Sequence, residues 1–204
     1  MAKYLKALAG AALLLACSIA SAQLGNGGGT YAGVDKANPN APDILGTYVD
    51  HAKTTLNASQ VLLNAVGLAE EAGKAGAEAQ ALSADATRSK IESSLKVQAD
   101  GGQALVQKLA AKPELNDATR QQFANGVAEL SRGYLAEAAL SRDLVDIRKT
   151  LKGSNAASIS VLYLSKALPG AVKELGQTLQ AAAAYAKANN ITLPQAATEA
   201  LSQM

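Results

Sequence analysis

Tryptophan is absent from this 204-residue chain, and phenylalanine, histidine and cysteine each occur once, as Phe123, His51 and Cys17. Aromatic residues make up 3% of the composition, so Ala, Leu and Val must do the packing. β-Branched and aromatic side chains are too sparse for a sheet protein, whereas alanine is the best helix former and lets helices approach closely. A single cysteine forms no internal disulfide, so no covalent staple holds the chain. A single histidine cannot build a di-iron bundle, which needs two Glu-x-x-His motifs. No thiol set suits zinc and no Cys-x-x-Cys-His suits covalent haem, so no metal or cofactor is expected.

Charge of one sign is also lacking. The 19 Lys and Arg exceed the 17 Asp and Glu by two, and Lys3 and Lys6 account for the excess. They open a segment that continues as an uncharged apolar run over residues 7–16 and ends in Ser-Ile-Ala-Ser-Ala. A basic start, a short apolar stretch and small residues at Ala20 and Ala22 have the form of a secretory signal peptide over residues 1–22, cut between Ala22 and Gln23. The run is shorter than the roughly 20 residues that span a bilayer. A second processing outcome competes: Leu14-Leu15-Ala16-Cys17 resembles a bacterial lipobox, which would leave a lipid on Cys17. Both outcomes place the protein outside the cytoplasm of a bacterium, periplasmic or outer-membrane-associated, touching the membrane only through an N-terminal lipid. The remainder is neutral and lacks the basic patch of a nucleic-acid-binding protein.

Residues 23–42 hold five glycines and two prolines without apolar periodicity, and are expected to form a flexible linker. Gly28 and Gly33 have the outer spacing of a P-loop, but Val34-Asp35 stand where Lys-Ser/Thr should bind phosphate and metal. The glycine run is read as a tether.

Residues 43–204 carry helical periodicity. A first helix is expected from Asp43 to about Leu82, on the stripe Leu45, Val49, Ala52, Leu56, Leu63 and Val66, thinning into Gly73, Gly76 and Ala79. A second, capped by Ser83 or Asp85, carries Ile91, Leu95, Gly102, Val106 and Leu109, and stops at Pro113. A third, capped by Asn116 or Asp117, carries Phe123, Val127, Leu130, Tyr134, Ala138, Leu144 and Ile147, and ends at Gly153. A fourth runs past Ile159 and Leu162 to Asn189-Asn190 and is kinked or split at Pro169. Thr192 caps a short last helix from about Leu193 to Gln203. The expectation is an all-α fold, an elongated antiparallel up-down four-helix bundle with a short C-terminal helix. Gly101-Gly102 cost roughly 2 kcal/mol against alanines in a helix, which predicts a close helix crossing there, against the small residues Gly73 and Gly76.

Chemistry-bearing motifs are few. Ser93-Ser94-Leu95-Lys96 spells Ser-x-x-Lys without its companion elements. Glu70-Glu71 are neighbours that point about 100° apart on a helix, unsuited to acid/base pairing. His51, beside Asp50, sits at the edge of the apolar face and reads as a boundary residue. Two sequons, at Asn57 and Asn190, are incidental outside a eukaryotic secretory pathway. No catalytic residue is assigned and no enzyme is expected. The leading reading is an exported bundle working through contacts with an envelope protein, or with copies of itself. The second is a carrier or sensor of a small ligand or lipid in a pocket between helices, lined by Gly73, Gly76, Gly101 and Gly102. An enzyme of unrecognised type is the third.

Overall fold

The computed structural model describes residues 40–151 and 155–204, and every regular element among them is helical. The signal segment, Cys17, the Ala22–Gln23 junction, most of the linker and Gly153 lie outside the described residues. The six helices are α1 (Ala41–Ala65), α2 (Ala69–Ala81), α3 (Arg88–Ala110), α4 (Asp117–Thr150), α5 (Ala156–Ala188) and α6 (Gln195–Ser202).

The first expected helix is two helices. α1 ends at Ala65, and Gly67 takes a left-handed backbone with φ +81°. Its N–H bonds to Asn64 O at 3.0 Å, and that of Leu68 to Leu63 O at 2.8 Å. This pair of bonds is the Schellman closure, and it needs a residue that tolerates positive φ. α2 then folds back along α1. Asn190, with φ 54°, ends α5 in the same way, and Ile191 N–H bonds to Ala186 O at 2.8 Å.

Other boundaries shift for local reasons. α1 starts at Ala41 with Pro42 in its first turn, where a missing N–H costs nothing. Thr87 caps α3, its Oγ1 accepting from Lys90 N, because Ser83 and Asp85 bond each other in the preceding turn at 2.5 Å. Asn116 caps α4 through Thr119 N at 3.0 Å. α6 begins after Pro194, two residues later than expected. α5 is not split at Pro169: the proline is exposed, and Leu164, Leu168, Leu175 and Leu179 stay buried across it. Packing of that stripe outweighs one lost hydrogen bond.

Contacts between named pairs fix helix directions. Thr55 faces Gly133 and Leu62 faces Gly126, so α1 and α4 run oppositely. Phe123 meets Tyr185, ring centroids 5.2 Å apart, and Tyr134 meets Gly176, so α4 and α5 also run oppositely. Arg88 lies over the Tyr163 ring at 4.9 Å and Gly102 faces Thr178, so α3 and α5 run the same way. The extra hairpin at Gly67 reverses the chain once more than the four-helix pattern allowed. Among the four long helices, α4 alone therefore opposes α1, α3 and α5. α2 packs on α1 and α3, and α6 on α4 and α5.

The hairpin generates a paired prediction. Gly67→Ala should destabilise by about 1 kcal/mol, because alanine is strained at positive φ. Gly73→Ala, helical and with open space where Cβ would go, should stabilise by roughly 1 kcal/mol. Urea melts of both variants check the signs.

Candidate functional site

Three polar residues replace apolar ones at the inward positions of three helices. Thr55 lies two turns from Tyr48 and from Leu62 along α1. Gln98 lies likewise between Ile91 and Leu105 along α3, and Glu137 between Leu130 and Leu144 along α4. The six flanking side chains are all buried, and Thr55, Gln98 and Glu137 are buried with them. Steps of two turns return to one helix face, so the three polar groups meet as a layer within the core.

Glu137 is fully buried and has only neutral hydrogen-bond partners. Thr55 Oγ1 donates to Glu137 Oε1 at 2.7 Å. Gln98 Nε2 donates to Oε2 at 3.2 Å and to Oε1 at 3.4 Å. Burial pushes the carboxyl up to about 7, while the bonds from Thr55 and Gln98 pull it down. A second polar pair lies on the same faces of α1 and α3. Ser94 Oγ donates to Ile91 O at 3.0 Å, which leaves Tyr48 Oη as the donor in the 2.6 Å bond between the two hydroxyls. Burial pushes the Tyr48 phenol up, with Glu137 and Glu78 adding to the effect.

Gln98 is left incomplete. Its Oε1 is buried without a partner, as are His51 Nδ1 and Glu78 Oε1. A buried acceptor left unsatisfied costs about 1–3 kcal/mol. Of the three, only Gln98 borders a described cavity, a cleft of about 390 Å³ between α3 and α5. Leu95, Ala99 and Val106 line one side, and Ala171 and Leu175 the other. Gln103, Gln107, Gln177 and Thr178 add amides and a hydroxyl, while Asp100 and Glu174 supply carboxylates. A larger groove, about 810 Å³, lies at the end of the bundle between the starts of α1, α3 and α5. None of the unpartnered atoms belongs to its lining.

The glycines singled out from the sequence do not form this cleft. A Cβ on Gly102 would lie 2.6 Å from Thr178 Oγ1, so Gly102 packs against α5 beside the cleft. Gly101 faces Leu63 of α1, with Cδ1 3.4 Å from where Cβ would be. Gly76 faces Gln60, and Gly73 faces open space. The expected pocket between Gly73–Gly76 and Gly101–Gly102 is therefore corrected: α2 returns against α1 and points these small residues elsewhere. Ser93 donates to Glu78 Oε2 at 3.1 Å and Lys96 pairs with Asp100 at 2.7 Å, so the Ser-x-x-Lys residues serve separate partners. Glu70 pairs with Lys74 at the surface. Burial holds His51 below the usual histidine range, with Asp50 opposing. Among the described residues no cluster of His, Cys, Asp and Glu has a metal-binding arrangement, and no helix is long and apolar enough to cross a membrane. No protein-family model matches the chain, and comparison with curated proteins and with solved structures gives no match.

Two predictions follow from the core layer and its edge. Glu137 holds in the folded state a proton that the unfolded chain releases from about pH 4.5. Stability should thus fall as pH rises from about 4.5 to about 7, by on the order of 3 kcal/mol. Glu137→Gln should match the native protein at pH 5 and exceed it at pH 8. His51 imposes the opposite slope below about 6.5, but equally on both proteins. Urea melts across this range isolate the difference, and an advantage independent of pH would exclude the mechanism. Separately, Gly102→Leu should overpack Thr178 and destabilise by about 1–3 kcal/mol. A free hinge would instead gain from the better helix former.

Proposed function

We propose that the protein is an exported, non-catalytic helical bundle, built on four long helices, that holds a small organic ligand in the cleft between α3 and α5. The observation that carries this reading is Gln98: a buried side chain with one polar atom unsatisfied, bordering a cleft of ligand size. Export rests on the signal-like residues 1–22, which direct the chain to the periplasm or, through Cys17, to the outer membrane.

The ligand reading is preferred to docking of a protein partner. The large exposed apolar side chains among the described residues are Val61, Val106, Val145, Ile159 and Met204. They fall one each on α1, α3, α4 and α5, and one at the C-terminus. A protein interface gathers such residues into a patch. Val106, moreover, is part of the cleft. The non-catalytic reading draws on the makeup of the core layer: Glu137 is joined by Thr55 and Gln98, and neither supplies a base to activate a nucleophile.

Screening a fragment and metabolite library by heteronuclear NMR tests this reading. Binders are expected to shift the amides of Leu95–Gln107 and Ala171–Thr178. Ala171→Phe, which fills the cleft from a partly exposed position, should abolish those shifts while keeping the helical spectrum. Hits confined to other surfaces, or none, would overturn the reading.

A further inference from the structure

We infer that α2 is a lid, which swings out as a unit between Gly67 and Leu82 and uncovers the seam between α1 and α3 while the other helices stay packed. The makeup of the helix is the first ground. Its 13 residues are all Ala, Gly, Glu, Lys or Gln, and those it buries are Ala72, Ala75, Gly76 and Ala79. α1, on which it lies, buries Ile44, Tyr48, Leu56, Leu62 and Leu63 completely. Apolar attraction scales with the area removed from water. Methyl groups therefore hold α2 far more weakly than leucines hold α1, α3 and α4 to one another, and weakly held units open before the whole fold does.

Backbone and polar groups do not make up the difference. Gly73 and Gly76 lie in the interior of α2, where only proline is a poorer helix former. Leu68 precedes it without a side-chain cap, whereas Thr87, Asn116 and Asn155 cap α3, α4 and α5. Glu70 and Glu71 suit its first turn, but Glu78 sits in the last turn, against the helix dipole and with no basic residue beside it there. The pair of Lys74 with Glu70 is internal to the helix and exposed, so it adds little. Among the described residues α2 packs on α1 and α3 alone. One side-chain hydrogen bond ties it to them, from Ser93 Oγ to Glu78 Oε2 at 3.1 Å. The other oxygen of Glu78 is buried without a partner, and water satisfies it once the helix lifts.

The two ends of the helix suit such a motion. Gly67 turns the chain in a left-handed conformation with open space around it. At the other end Leu82 and Ala86 are buried and anchor the link to α3. Beneath the lid, Gly76 meets Gln60, and Leu56 and Leu63 share that face of α1 at steps of four and three residues. Near the end of α2, Glu78 bonds Ser93, the neighbour of Ser94, and acts on Tyr48 through space. Lifting α2 thus opens a path from water to the Tyr48–Ser94 hydroxyl pair.

Hydrogen exchange of the intact protein, followed by NMR at urea concentrations below the unfolding transition, tests the inference. Amides of residues 72–81 should exchange about a hundredfold faster than those of residues 130–144 in α4, with weak dependence on urea. They should still be protected relative to an unstructured peptide. Ile147→Val, in α4 and out of contact with α2, should speed exchange in α4 several-fold. It should leave α2 unchanged, because α4 remains packed when the lid is open. Ser94→Cys, combined with Cys17→Ser to remove the other thiol, reports the uncovered seam. A water-soluble thiol reagent should label it through the α2 opening, and Gly73→Ala should slow that labelling about fivefold. Equal exchange in α2 and α4, an equal response of both to Ile147→Val, or labelling of Ser94→Cys only at the α4 rate overturns the inference. An α2 without any protection overturns it too, since there would be no closed lid.

Discussion

Thr55 stands at a close approach of α1 and α4, and both the packing and the chemistry of the core depend on it. A Cβ at Gly133 would lie 2.4 Å from Thr55 Oγ1 and 3.2 Å from its Cα, so the α4 backbone rests directly on α1. One turn along α4, Thr55 donates its hydroxyl to Glu137. A chain with almost no aromatic side chains must bring its backbones together to fill space, and a glycine against a threonine achieves this. The same contact sets the register of α1 against α4. A slip by one turn would strand a carboxylate among leucines, at a cost of several kcal/mol.

The far end of the molecule is held differently. Arg120 donates to the carbonyl of Asn189 at the end of α5, and Tyr185 Oη donates to the carbonyl of Pro113 between α3 and α4. Phe123 packs on the same tyrosine. These three residues gather the end of α3, the start of α4 and the end of α5. Along α3 and α5 the cleft ends about two turns before this clamp, at Gln107 and Thr178. The clamp thereby fixes the spacing of the two helices that border the cleft, and a site built on rigid helices keeps its geometry better than one built on loops.

Much of the fold was legible because it follows from propensity and period: the all-helical class, the Asn116 cap, the stop at Asn189–Asn190, and stripes such as Phe123 to Ile147. The hairpin at Gly67 was not, because Val66, Leu68 and the alanines beyond continue an apolar pattern across the turn. Its trace was the thinning of the stripe after Val66, together with a glycine followed by leucine, the pairing a Schellman closure uses. The candidate site was harder. Each of Thr55, Gln98 and Glu137 looks like an ordinary surface residue in its own helix. Only the heptad steps Tyr48–Thr55–Leu62, Ile91–Gln98–Leu105 and Leu130–Glu137–Leu144 mark them as inward, and their convergence depends on helix directions that the missed hairpin reversed. The cleft itself arises between α3 and α5, which run the same way as the second and fourth helices of the expected bundle would, but its lining residues carry no mark in the sequence.

Two polar groupings in one core differ in a way that separates structure from function. Tyr48 and Ser94 are completed by Ile91 O, so burying them costs little beyond what their bonds return. Glu137 and Gln98 are not completed. The acid has no cation among its hydrogen-bond partners, and the amide keeps an orphaned oxygen. Apolar side chains of similar volume would give a more stable core, as they do when buried ionic groups are replaced elsewhere. Register alone does not require the surplus acceptor, because Thr55 and Gly133 already set it. The incompleteness of this pair is what sets it apart from the satisfied Tyr48–Ser94 pair in the same core.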